Sequence, residues 1–256
     1  MNIFSKSRNI IVGIILMSLP VLAQTPVPSP VSLQVGVGIG SVSPKGDFNG
    51  STTDYFAGTN YGESSGIDYQ VKARVGIIGF NLVGQMDYAS LSNSGNATPG
   101  QSGSSVDISQ KILSLKIGPE FKISIPLSPV TPYIGANISF NHFSGNVSFH
   151  GVTSIPTGPS QYDIKSDSRV GYGISGGVIV NLMGLTLDVG AQYNILNAFG
   201  KKFEVVDPTN VKRLDSYLAL NDEQDPLYQS GSTIHFIENS RTLSTFAITA
   251  TIMFGL

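Results

Sequence analysis

The sequence predicts an all-β chain: an eight-stranded antiparallel up-and-down transmembrane β-barrel with short periplasmic turns and long extracellular loops. Three observations lead there. Eight segments alternate apolar and polar residues with a period of two, the mark of strands with two unlike faces. The connections between them alternate short and long. The chain also begins with a basic and then apolar stretch of the kind that directs export.

Lys6 and Arg8 precede an apolar run from Ile10 to Leu22, and Val21-Leu22-Ala23 precedes Gln24. The run carries Pro20 and is shorter than the ~20 residues a spanning helix needs. Residues 1–23 therefore read as a signal peptide cleaved after Ala23. Residues 24–30, Gln-Thr-Pro-Val-Pro-Ser-Pro, form a Pro-rich periplasmic lead-in, and 31–256 the barrel domain. Without Lys6 and Arg8 the chain has 13 bases against 17 acids, a charge of -4.

From Val31, Leu33, Val35, Val37 and Ile39 fall on one parity. Gly66–Ile77 sets Tyr69, Val71, Ala73 and Val75 against Asp68, Gln70, Lys72 and Arg74. Phe80–Ser90 sets Leu82, Met86 and Tyr88 against Asn81, Gln85 and Asp87, and Ile78-Gly79 suits a two-residue hairpin turn. A fourth strand near Val106–Ile125 sets Leu113, Leu115, Ile117 and Phe121 against Ser114, Lys116 and Glu120. The fifth, Tyr133–Phe143, carries Ile134, Ala136, Ile138 and Phe140 on its apolar parity. The sixth is Arg169–Val180, the seventh Leu185–Leu196 and the last Thr245–Leu256. Ile78-Gly79, Pro126–Thr131 and Asn181–Gly184 are short connections. Pro44–Ser65, Leu91–Ser105, Ser144–Ser168 and Asn197–Ser244 are long and polar. Short turns on one rim and long loops on the other are the asymmetry of an outer-membrane barrel.

In such a barrel the apolar parity points to lipid. Tyr69, Tyr88, Phe140, Tyr172, Tyr193 and Phe246 sit on it near the long loops, and Phe80, Phe121 and Phe254 near the short turns. These read as two interfacial girdles of aromatic rings. Tyr133 has the wrong parity for a girdle. The opposite parity holds Asp68, Asp87, Glu120 and Asp188 with Lys72, Arg74, Lys116 and Arg169, four acids facing four bases in a lumen. Buried charges need partners. The hairpin puts Lys72 opposite Gln85 and one diagonal step from Asp87, which makes Lys72 and Asp87 an expected pair.

Composition excludes several classes. The absence of Cys removes disulfide scaffolds, Cys-ligated zinc and thiol nucleophiles. A near-balanced charge gives no basic footprint for nucleic acid. Charged residues at 12% with 41% hydrophobic residues do not describe a solvated disordered chain.

The exported start, the eight alternating segments, Gly118-Pro119-Glu120-Phe121, Pro132-Tyr133-Ile134-Gly135-Ala136 and the amphipathic last strand together resemble OmpA/OmpX/OmpW-like outer-membrane β-barrel domains of Gram-negative-type bacteria. The final Phe254-Gly255-Leu256 departs from the terminal aromatic typical of those proteins. The resemblance implies a monomer in the cell outer membrane, partnered by lipid, by the barrel-assembly machinery during insertion and by an extracellular ligand the residues do not identify.

Three motifs offer chemistry. Gly171-Tyr172-Gly173-Ile174-Ser175-Gly176 spells G-x-G-x-x-G but lies inside a strand, where a dinucleotide loop needs a following helix. His142-Phe143-Ser144 looks like the His-x-Ser of outer-membrane lipid A deacylases, with both side chains on one face, but no Glu follows before Glu204. Asn221-Asp222-Glu223-Gln224-Asp225 offers oxygen ligands, but Pro226 stands where a calcium loop needs Gly. The expectation is no cofactor, no metal and no enzyme: a small barrel acting in envelope structure or surface interaction through its loops. The alternatives are a narrow OmpW-like channel for small hydrophobic solutes, a lipid hydrolase using His142 and Ser144, and a soluble periplasmic ligand-binding barrel.

Overall fold

Eight of the strands close into a barrel in the computed structural model. It describes residues 32–255 apart from 57–58, 78–79, 98–102, 124, 152–160, 183–184, 206–219, 231–232 and 239. The expected signal peptide and lead-in lie outside the described residues, as does the turn at 78–79. In chain order the strands are β1 (Ser32–Lys45), β2 (Gly66–Ile77), β3 (Phe80–Asn96), β4 (Ser105–Lys122), β5 (Val130–His150), β6 (Gln161–Leu182) and β7 (Leu185–Phe199). They continue with β8 (Phe203–Val205), β9 (Asp222–Ser230), β10 (Thr233–Glu238) and β11 (Ser244–Gly255). β11 pairs antiparallel with both β1 and β7, closing the barrel, while β8, β9 and β10 form a separate sheet within the last long connection. Closure leaves no barrel strand with an unpaired edge.

Several strands outrun their expected ends. β3 continues to Asn96, β5 to His150, and β6 begins at Gln161, so much of the expected second and third loops is paired ladder. β4 stops at Lys122, short of Ile125. The long extensions escape a search for one apolar parity because the parity inverts along the strand. Leu113, Leu115 and Ile117 of β4 point outward and are exposed, whereas Val106, Ile108 and Ile112 of the same strand point inward and are buried. β5 does the same: Ile134, Ile138 and Phe140 face out, and Phe143, Val147 and Phe149 are buried. Each strand thus has a segment apolar outside and a segment apolar inside.

The inward segments build an apolar plug at the long-loop end. Val42, Ala89, Leu91, Ile112, Phe143, Leu196 and Ala247 come from barrel strands. Phe48, Tyr61, Leu220 and Leu243 come from the first and last long connections. The first connection is folded onto the rim. A 3-10 turn, Gly46–Phe48, leads to the short helix α1 (Thr52–Phe56). Ser51 caps that helix, its Oγ accepting from Asp54 N–H at 3.2 Å while Asp54 Oδ2 accepts from Ser51 N–H at 3.0 Å. Tyr61 N–H then donates to Asp47 O at 2.9 Å, and the Tyr61 and Phe48 rings meet edge to face at 6.3 Å. Asn93 of the β3 extension donates to Gly62 O at 2.6 Å and to Gly50 O at 3.2 Å, tying both limbs of the connection to the ladder.

Candidate functional site: the lumenal charge network

Below the plug the inward side chains turn polar and charged. The register brings Gln34, Arg74, Asn81 and Glu120 to one part of the lumen and Gln70, Gln85, Asp87 and Lys116 to another. Arg74 is the centre of the first group. Its Nε lies 2.7 Å from Glu120 Oε1, and its Nη2 donates to Glu120 Oε2 at 2.9 Å and to Asp188 Oδ2 at 2.7 Å. Lys72 Nζ donates to Asp188 Oδ2 at 2.6 Å and stands 3.8 Å from Glu120. Two cations thus meet two carboxylates from β2, β4 and β7. The arrangement is shut off from solvent, since none of these four residues exceeds 4% exposure. Asn81 Nδ2 donates to Glu120 Oε1 at 3.1 Å, filling a further lone pair. Such satisfaction is what lets buried ion pairs offset their desolvation.

Tyr133 belongs to this group, which explains its parity. Its ring lies under both cations, 5.1 Å from Lys72 Nζ and 5.7 Å from the Arg74 guanidinium, and its hydroxyl donates to Asp188 Oδ1 at 2.8 Å. Gly177 and Gly190 make room for it: a Cβ on Gly177 would stand 2.7 Å from the Tyr133 hydroxyl, and one on Gly190 would collide with the same oxygen. The sequence signal is an aromatic on the parity that continues with Gly135, Asn137, Ser139 and Asn141, small or polar residues beside which a ring stands out.

The second group is Lys116 with Asp87, 2.5 Å apart. Lys116 also donates to Gln192 Oε1 at 3.0 Å, and Gln85 Nε2 donates to Asp87 Oδ1 at 2.6 Å and to Gln70 Oε1 at 2.9 Å. Gln70 in turn donates to Thr251, joining β2 to β11. The expected Lys72–Asp87 pairing is therefore corrected. The hairpin register holds, with Lys72 opposite Gln85 and Gln70 opposite Asp87. A narrow lumen, however, puts side chains from non-neighbouring strands within reach, so Lys72 turns across to Asp188 of β7, while Asp87 takes Lys116, one diagonal step away on the β3–β4 ladder.

Asp68 and Arg169 stand apart from both groups. Asp68 is buried with Oδ1 unbonded among the described residues, beside a void of about 20 Å³ that Asp87 and Lys116 also line. Arg169 works at the rim. It pairs with Asp167 at 2.8 Å and donates from Nη2 to Leu220 O at 3.1 Å and to Asn221 Oδ1. It is thus an anchor for the base of the last connection, where Lys201 and the Ser240 amide also hold the Asp222 carboxyl below the usual carboxylate range.

All nine expected girdle aromatics lie on the outer face: Phe246 is half-buried and the other eight are exposed. Tyr69 faces Tyr88 and Tyr193 faces Phe246 across the ladders near the long connections. The Phe80 and Phe121 rings lie 6.3 Å apart near the short turns.

A closed barrel with an apolar outside and a polar, charged lumen agrees with the family found by sequence comparison. The family model described as "Outer membrane protein beta-barrel domain" matches residues 10–219. The chain belongs to that family. Its place is the cell outer membrane. Among solved structures it is similar to Neisserial surface protein A (NspA), at 17% identity and a TM-score of 0.45, over 88% of this chain and 97% of that one. It is also similar to Ail, the attachment invasion locus protein of Yersinia pestis, solved in complex with the heparin analogue sucrose octasulfate. That likeness has 13% identity and a TM-score of 0.36, over 88% of this chain and 97% of Ail. A search of curated proteins returned no match.

The remaining motifs of this outer-membrane barrel find structural places. His142 is exposed, its Nδ1 lies 2.9 Å from Ser168 Oγ of β6, its cross-strand neighbour, and among the described residues no bond joins it to Ser144. A bulge between Phe143 and Gly145 interrupts the ladder at Ser144, whose carbonyl accepts from Gln110 at 2.9 Å. The G-x-G-x-x-G run lies wholly within β6. Asn221 and Asp222 are engaged by Arg169, Lys202 N–H, Lys201 and Ser240, and among the described residues no cluster of three or more His, Asp or Glu could hold a metal.

Proposed function

We propose that this outer-membrane barrel is a closed, non-enzymatic anchor. Its apolar outer band faces lipid, and it acts in envelope structure or surface interaction through the connections at its long-loop rim. The observation that carries this reading is the filling of the lumen. Apolar side chains plug one end and two ion-paired groups fill the middle. The voids beside Lys116 are each about 20 Å³, room for about one water. Eight strands enclose an interior that side chains can fill. At the rim, the Arg169 clasp and the folded first connection supply fixed surfaces on which recognition loops stand.

The test is purified barrel in planar bilayers and in liposomes loaded with a small hydrophobic dye. The expected result is no steady ion conductance and no dye flux above protein-free membranes. Sustained conductance or flux would favour the narrow-channel reading and overturn this one.

A further inference from the structure

We propose that the lumen holds one desolvated monovalent cation, of sodium size, against the Asp68 carboxylate. The charges of the lumen point to it. In the first group Lys72 and Arg74 balance Glu120 and Asp188. At the rim Arg169 balances Asp167. In the second group Asp68 and Asp87 share a single base, Lys116, around one void. One negative charge is therefore left over beneath the apolar plug. It falls on Asp68, which is 4% exposed and has Oδ1 unbonded among the described residues. Burying an unpaired carboxylate is so costly that buried charges are paired or coordinate a metal ion.

The neighbouring donors are committed elsewhere. Lys116 Nζ lies 2.5 Å from Asp87 Oδ2 and donates to Gln192 Oε1 at 3.0 Å. Gln85 Nε2 serves Asp87 and Gln70. The plug side of the void is apolar, lined by Val42, Ala89, Ile112, Leu196 and Ala247. What the void offers instead is oxygen. Asp68 lies one diagonal step from Asp87 on the β2–β3 ladder, Ser114 lies opposite Asp87 on β4, and Thr245 and Asn194 pair across β11 and β7. All five line the void and are buried. Ser114 Oγ gives its proton to Asn141 Oδ1 at 2.7 Å, which leaves its lone pairs as acceptors. Carboxylate and carbonyl oxygens suit hard cations. The void, at about 20 Å³, has room for about one water, so it takes a sodium-sized ion stripped of its shell and excludes a bulky organic cation. A single positive charge closes the balance, whereas a divalent ion would overshoot it.

The experiment uses the mature chain refolded in phosphatidylcholine vesicles at neutral pH and constant ionic strength, with sodium chloride exchanged for potassium or choline chloride. The reading is the folding equilibrium constant from urea unfolding. In wild type it should rise about tenfold for each tenfold rise in sodium beyond half-saturation, less in potassium and not at all in choline. Asp68→Asn keeps the size of the side chain and removes its charge, so it should insert and lose the sodium dependence. Thr245→Val keeps the charge and removes one lining oxygen. It should keep the dependence with the half-point moved to higher sodium, and it decides the matter if Asp68→Asn does not fold. Wild-type stability that is the same in sodium and choline overturns the proposal and leaves Asp68 carrying a proton instead. A sodium dependence that survives Asp68→Asn, or a half-point unmoved in Thr245→Val, places the cation elsewhere and overturns it as well. Equal support from potassium overturns the sodium-sized assignment.

Discussion

The hydroxyl of Tyr133 donates to Asp188 Oδ1 at 2.8 Å, joining β5 to β7 through the middle of the lumen. Asp188 also accepts from Lys72 and Arg74, so one carboxylate gathers three donors. Tyr133→Phe removes one of them and keeps the ring under both cations. The expected cost is about 1–3 kcal/mol, measured as the shift in urea midpoint of the refolded barrel in lipid.

Gly190→Ala should act through the same tyrosine. An added Cβ meets the Tyr133 hydroxyl, and its other near neighbours lie at 3.6 Å or beyond. Gly190→Ala alone should destabilise, and in the Tyr133→Phe background its cost should shrink, because the oxygen it strikes is gone. Additive losses in the urea midpoints would mean that Gly190 serves the backbone rather than the tyrosine.

The charge network should couple across the lumen rather than along the hairpin. A double-mutant cycle on Arg74 and Glu120 should give an interaction of about 1–3 kcal/mol, as expected for contacting members of one network. Either single truncation should cost about 3–5 kcal/mol by stranding a buried charge. The corresponding cycle on Lys72 and Asp87 should be close to additive, because each has its own partner.

Glu63 predicts a pH dependence at the rim. It lies on the returning limb of the first connection, 1% exposed, with Oε2 unbonded among the described residues. Burial pushes its carboxyl up to about 8, from an ordinary value of 4.5. A folded-state value above the unfolded one means that the folded form holds the proton longer. Stability from this group is full below pH 4.5 and is lost as pH rises to about 8, beyond which the loss is complete. Glu63→Gln should flatten that slope and be more stable than wild type at pH 8.5, by about 3–5 kcal/mol if the first connection unfolds with the barrel. The check is the urea midpoint from pH 5 to 9, with protease cleavage of the first connection read in parallel. A slope unchanged by Glu63→Gln would reject the role of this carboxyl.

The last connection should be divisible. Replacing residues 225–236 with a short Gly/Ser turn removes most of β9 and β10 and leaves Leu220 and Asn221 on Arg169. Insertion, read by protease protection in whole cells, should survive. Deleting Thr249–Leu256 should abolish it, since β11 pairs with β1 and β7, and without it two edges face lipid with unpaired backbone groups.

The eight strands, their neighbours and the lipid-like parity could be read from the sequence because a β-strand records its two faces in a period of two. Tyr69, Leu115 or Ile252 announces its own side without knowledge of any distant residue. The same rule hid the upper parts of β3, β5 and β6. There the apolar side chains move inside, as Phe149 and Ile164 do, and a search for one parity reads the inversion as loop. Partner choice in the lumen was beyond the sequence for another reason. Which base meets Asp188 depends on barrel closure, which brings β2, β4, β5 and β7 within a side chain's length of one another. Local register names only the neighbours on one ladder. So Lys72, Arg74, Glu120 and Asp188 declared themselves as interior charges one by one, while their pairing, the place of Tyr133 among them and the turn of His142 toward Ser168 were decided by the closed tertiary structure.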